Sequence, residues 1–168
     1  MSSPDQSELQ AYQQQCQQLL MRLRSLALST LSDGEPEISY APFWRDEKGV
    51  IYLYTSELAA HTHNLVAHAR CSVMFIEDEA ACRNVFARER LTFNCQVAEV
   101  SASEEHYTDV LDQMEAELGQ TVSLLRGLPD FHLFALTPDS GRYVVGFGKA
   151  FDVTPSTLGL RHITVEGR

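Results

Sequence analysis

The segment TSELAAHTHNL, residues 55–65, sets His61 and His63 two apart, and what they can do depends on the backbone beneath them. On a strand both imidazoles point to one side and can share a metal ion; on a helix they lie about 200° apart and cannot. The surrounding residues favour the helix. Thr55 or Ser56 is placed to cap it, Glu57 suits its first turn, and Leu58, Thr62, Leu65, Val66 and Ala69 form one buried stripe. His61 and His68 then share a flank, about 10 Å apart along the axis, too far to chelate one ion unaided. His63 and His68 read as surface or boundary residues, whereas His61, near the helix start and the end of the preceding strand, can face an anion in a pocket.

Other charged residues offer chemistry of a different kind. In FARERLTF, Arg88 and Arg90 alternate with Ala87, Glu89 and Leu91 at the mouth of a strand, so both face one side and can grip a carboxylate or phosphate; the plainer reading is an exposed basic pair balanced by Glu89. Asp130 in GLPDFHLF stands between a turn and a buried strand, where it either ends the turn or orients a histidine as a hydrogen-bonded carboxylate. His132, alternating with Phe131 and Leu133, faces outward, and His106 is solvated in the first turn of a helix. Tyr40, Phe43 and Trp44 read as barrel core or as the wall of a flat apolar cavity. No spacing supports a Ser-His-Asp arrangement.

The elements that must position these residues follow from periodicity. Leu9, Tyr12, Cys16, Leu19 and Leu23 recur at helical intervals and predict a helix over about 7–23. Strands are predicted at 25–31, 37–44 and 50–55, joined by the turns SDGEP and RDEKG, and again at 71–77 and 90–100 with a short helix in DEAACRNVFARE between them. Tyr107, Val110, Leu111, Met114 and Leu118 predict a helix over 103–118, opened by a Ser101–Glu104 capping box. Two more strands are expected at 130–136 and 142–153 around the turn TPDSG, the second interrupted at Gly146 and Gly148 by a bulge or a close backbone approach. Seven strands in consecutive antiparallel hairpins exclude a parallel βαβ sheet and point to a small antiparallel barrel with peripheral helices.

Length and composition bound the rest. A chain of 168 residues is expected to form a single domain, residues 1–168. A formal charge of −10 repels nucleic acid and anionic membrane, so an anionic ligand needs a local basic pocket. Cys16, Cys71, Cys82 and Cys95 show no zinc spacing, and three of them sit among apolar neighbours as reduced core residues. With a polar, acidic N-terminus and no apolar run long enough to span a bilayer, the expected compartment is the cytoplasm, without membrane insertion.

The ordered set EISYAPF, HTHNL, MFIEDE, FARERLTF, LPDFHLF and VVGFGKAF, spread over about residues 20–155, resembles the HutZ and HugZ haem-utilisation proteins, a branch of the pyridoxamine 5′-phosphate oxidase-like split-barrel superfamily. The resemblance implies a mainly β (α+β) fold, an antiparallel six- to seven-stranded split β-barrel that pairs as a homodimer. It also implies haem bound near the subunit interface, and oxidative opening of the porphyrin to release iron, with an unknown electron donor. By position it makes Asp130 the acid that hydrogen-bonds the haem-ligating histidine of the partner subunit, Arg90 the pocket arginine and His61 the pocket histidine. With Arg88 these are the expected cofactor-binding residues, and Asp130, Arg90 and His61 the expected catalytic ones.

The family's axial ligand is a histidine after a glycine in the C-terminal tail. The tail here, about 154–168, ends in HITVEGR without that pair; the expectation is a longer native chain, with His162 as the one tail histidine present for the iron. The alternative is an FMN-dependent oxidoreductase, since the superfamily's flavin branch grips the FMN phosphate with an Arg-Lys pair after the third strand. The corresponding places are Ala60 and His61, which leaves Arg24 and nearby hydroxyls to compensate. A cofactor-free dimeric interaction protein is the third reading, and it gives Arg90 and Asp130 no task.

Overall fold

Asp5 opens the first helix, α1 (Gln6–Arg22), through a reciprocal cap: Glu8 N donates to Asp5 Oδ1 at 2.9 Å and Asp5 N to Glu8 Oε2 at 3.0 Å. The computed structural model describes residues 4–164. The expected stripe faces inward, with Cys16 and Leu19 buried and Leu9, Tyr12 and Leu23 packed against them at the margin.

β1 (Ser25–Ser32) and β2 (Glu35–Pro42) form a hairpin whose turn holds Asp33 and Gly34 at φ of 50° and 85°, the left-handed pair that a tight two-residue turn demands. In chain order there follow β3 (Trp44–Arg45), β4 (Ile51–Ser56), α2 (Ala60–Ala67), β5 (Arg70–Ile76), β6 (Arg90–Val100), α3 (Tyr107–Leu118), α4 (Thr121–Arg126), β7 (Phe131–Gly146), β8 (Lys149–Thr154) and β9 (Gly159–His162). All pairings are antiparallel, and the order across the sheet is β2-β1-β5-β6-β7-β4-β3, with β8 and β9 continuing from β7. β2 also approaches β4, which curls the sheet round a core of Leu28, Leu53, Phe75, Phe93, Leu136 and Phe151. A second cluster packs the apolar stripe of α3 outside the sheet, against Tyr52, Val100 and Leu133. The mainly β, antiparallel class with peripheral helices is as expected. Among the described residues no helix is long and apolar enough to cross a membrane.

Several local expectations are corrected. TPDSG is not a turn: β7 runs unbroken through it, paired with β6, and the pairing shifts at a bulge where Cys95 faces Pro138 and Asn94 faces Ser140. A bulge absorbs both the proline, which has no N–H to donate, and the extra residue Asp139. The helix expected in DEAACRNVFARE is two single 3₁₀ turns, Glu79–Ala81 and Val85–Ala87, because Asp78 and Asn84 each bond the backbone N–H two residues on. Ser101 and Glu104 close a turn ahead of α3, and the helix begins only at Tyr107, with His106 at the N-cap position and no side-chain cap bond.

Gly146 and Gly148 do not interrupt one long strand. They sit on either side of Phe147 at the β7–β8 turn, with Gly148 at φ 68°, and the expected bulge is present as irregular pairing between Val144 and Gly146. The tail carries β9, which sequence pattern missed, and residues 165–168 lie outside the described residues.

Candidate functional site

Asp130 lies just before β7, where β7 pairs with the end of β4. Its Oδ2 accepts a 2.5 Å hydrogen bond from Ser56 Oγ, and its main-chain oxygen accepts Glu57 N at 2.8 Å. Both contacts pin it to the β4–α2 junction. Two residues on, His132 is held between carboxylates, with Nδ1 2.6 Å from Glu99 Oε1 and Nε2 2.9 Å from Glu57 Oε1. Both partners are acceptors, so the doubly protonated imidazole fits the site; the bond to Glu99, then that to Glu57, raises its pKa above the ordinary histidine value. Beside this cluster an open cleft of about 420 Å³ is walled by Phe131, Leu133, Val100 and Tyr107.

His61 belongs to the same end, on α2. The helix is real, but its expected cap and stripe are not: Ala59 is the N-cap without a side-chain bond, and of the stripe only Thr62 and Leu65 are buried. Polar bonds dock the helix instead. Thr62 Oγ1 donates to Ser56 O at 2.6 Å, and Asn64 Nδ2 donates to Thr30 Oγ1 at 3.0 Å and Glu37 Oε2 at 2.9 Å. With only eight residues the helix ends before Ala69, and Leu58 precedes it, 94% exposed. His61 Nδ1 lies 3.0 Å from Ser39 Oγ on β2; burial lowers its pKa, against a smaller opposing pull from Glu37. Leu58 and Val66 are exposed, as are Ile38 and Tyr40 of β2, at 75% and 72%. Tyr40 is therefore no part of the core, in contrast to the buried Phe43 and the partly buried Trp44 packed against the second cluster.

The arginines sit at the opposite end of β7, where Arg90 pairs with Val144. Arg88 precedes β6, so the two do not share a strand face as expected. Arg88 Nε donates to Glu77 O at 2.7 Å and Nη1 reaches Glu79 Oε2 at 3.4 Å, while Arg90 Nη1 donates to Arg88 O at 2.9 Å. Glu89 does not balance them at the surface. It turns into the core, 5% exposed, and accepts from Tyr143 Oη at 2.5 Å and Arg22 Nη2 at 3.2 Å. Burial first, then this carboxylate, pushes the Tyr143 hydroxyl far above the usual phenol range, and burial with the same charge raises the Cys16 thiol to about 12. Sequence reasoning missed Glu89, although its place two residues before Leu91 and four before Phe93, both buried, was the signal for it.

His162 lies at this end also, on β9 opposite Phe151, whose ring centroid is 5.4 Å from its own. Its Nε2 is 3.0 Å from the Gly148 carbonyl, which can only accept, so Nε2 carries the proton; Nδ1 is buried without a partner. In this conformation neither nitrogen presents an open lone pair to a metal. Arg24 makes bonds of 2.8 and 2.7 Å to Glu117 O and Oε2 and is committed there. Among the described residues no three His, Cys, Asp or Glu side chains are grouped to hold a metal ion.

Thus Asp130 and His61 gather at one end of β7, Arg88, Arg90 and His162 at the other. Residues 12–145 match the family described as pyridoxamine 5′-phosphate oxidase. HutZ of Vibrio cholerae, named a haem oxygenase, is 38% identical over 136 residues, covering 80% of this chain and 77% of its own. A crystal structure of HutZ from Vibrio cholerae, described as a haem storage protein, superposes with a TM-score of 0.75 at 32% identity over 80% of this chain and 96% of that one. ChuZ of Campylobacter jejuni gives a TM-score of 0.84 at 29% identity, over 99% of this chain and 66% of ChuZ. The sheet described above is accordingly the expected split barrel.

Proposed function

The chain belongs to the pyridoxamine 5′-phosphate oxidase family, and from that premise we propose that it is a haem-binding protein of haem iron utilisation, working as a homodimer in the cytoplasm. The observation that carries this reading is the 38% identity to HutZ, a haem oxygenase by name, across 136 residues. Asp130 agrees with it. Ser56 takes Oδ2, while Oδ1 receives no hydrogen bond from the described residues. A carboxylate so oriented suits the N–H of a histidine from a second copy, and that bond makes the far imidazole nitrogen a stronger iron ligand.

Haem, when bound, supplies an iron centre that can react with oxygen. Arg88 and Arg90 supply positive charge for its propionates, and His61 a polar ring at the pocket wall. His162 fits the role of ligand only after its ring leaves the Gly148 carbonyl. Ile38, Tyr40, Leu58 and Val66 are exposed apolar side chains that a second copy would cover. Four unpaired cysteines suit a reducing compartment. Oxidative opening of the bound haem to release its iron would in addition draw on an electron donor.

FMN is the weaker cofactor. Ala60 gives no charge, burial holds His61 toward its neutral form, and Arg24 is taken by Glu117. Titrating the purified protein with haemin and, separately, with FMN under visible absorption tests the choice. A saturable Soret band, diminished in Asp130→Ala, is the expected result. Flavin binding without a haemin band would replace this reading with the FMN one, and no binding of either would leave the cofactor-free interaction protein.

A further inference from the structure

We propose that Glu89 is a positioning residue that aims Arg88 and Arg90, acting from inside the barrel through Tyr143 and Arg22; the inference rests on the haem reading above. Three elements converge on its carboxylate. Tyr143 Oη of β7 donates at 2.5 Å, Arg22 Nη2 from the end of α1 donates at 3.2 Å, and the residue itself stands next to the first residue of β6.

The backbone at this point is locked as well. Glu77 N donates to Glu89 O at 3.0 Å and Glu89 N donates to Glu77 Oε1 at 2.7 Å, which closes the excursion 78–88 at its base. Arg88 then folds back on Glu77 O, and Arg90 on Arg88 O.

Alternation gives the carboxylate its leverage. With Glu89 drawn inward in line with the buried Leu91 and Phe93, Arg90 between them must point away from the core, and a slip of one residue would bury that arginine in place of the acid; Arg88 is set by its own bond to Glu77 O at the base of the excursion. Packing alone does not call for an acid here, since a buried carboxylate loses hydration that an apolar side chain of similar size would not miss. What the acid adds is direction. Its two donors come from separate elements and fix where the chain enters β6, and with it the roots of both guanidinium groups. The same excursion carries Phe86, 82% exposed.

Haemin titrations of Glu89→Gln, of Arg88→Ala/Arg90→Ala and of the triple variant test this, with circular dichroism to show that each is folded. Glu89→Gln is expected to weaken haemin binding by roughly tenfold, the scale of one charge-assisted hydrogen bond, and to weaken it no further once both arginines are absent. A residue that merely supported the fold would cost the same in both backgrounds, and that result overturns the proposal, as does wild-type affinity in Glu89→Gln. If Glu89→Gln does not fold, Tyr143→Phe, which keeps the ring and removes one donor, takes its place with the same expectation and the same contrary result. Wild-type affinity in the double-arginine variant would instead show that the arginines bind no haem, and both readings of this end of the barrel would fall.

Discussion

His132 and His61 sit in neighbouring parts of the molecule and respond to protons in opposite senses. The raised pKa of His132 comes from donating to Glu99 and Glu57, so its contribution to stability is fully present below the ordinary histidine pKa and is lost as pH rises through the raised folded value. Its partners are about half exposed, which keeps the contribution small. Urea unfolding of His132→Gln should show a deficit near pH ~5.5 that shrinks by pH ~8.5, bracketing the ordinary value of about 6.5. A deficit that grew with pH would exclude the clasp. His61 behaves inversely: burial disfavours its charged form, so acidification below the ordinary range weakens the seam between α2 and β2. Sequence could place Asp130 and Arg90 as charged residues next to strands, but not the neighbours that give them direction. Ser56 lies 74 positions from Asp130, and Glu89 is charged, which masked the alternation that turns it inward.

Between elements, β7 shows how tertiary pairing overrides local chemistry. TPDSG has every mark of a turn, yet pairing with β6 on one side and with β8 along its later half keeps the strand extended, and the bulge at Cys95 accommodates the proline. Gly141 is required there for space: a Cβ would stand 2.6 Å from Phe93 Cδ1, inside the core. Gly141→Ala is therefore expected to lower unfolding stability by about 1–3 kcal/mol, measured by urea denaturation; a neutral substitution would mean that Phe93 is free to move. The helices α1 and α3 were legible because their stripes are long enough to fix a period. α4 has six residues and β9 four, too few for any period, and β9 forms only because β8 is beside it. α2 was legible as a helix but not in its docking, since Thr62 and Asn64 hold it by hydrogen bonds that an apolar count ignores.

For the whole molecule, a succession of hairpins was enough to predict an antiparallel barrel, while nothing in the sequence pattern shows which surfaces meet another chain. β7 bears on that. Asp130 stands just before its first end and the partner of Arg90, Val144, near its last, roughly 45 Å apart along extended chain. A twofold pairing that brings these ends together must take each from a different copy, so two damaged chains can complement one another. Co-expressed Asp130→Ala and Arg90→Ala subunits, isolated as the mixed pair through separate affinity tags, should regain one intact haemin site while the opposite site lacks both groups. Either variant paired with itself would have none, and a mixed pair as poor as its parents would mean that each barrel keeps its own acid and its own arginine.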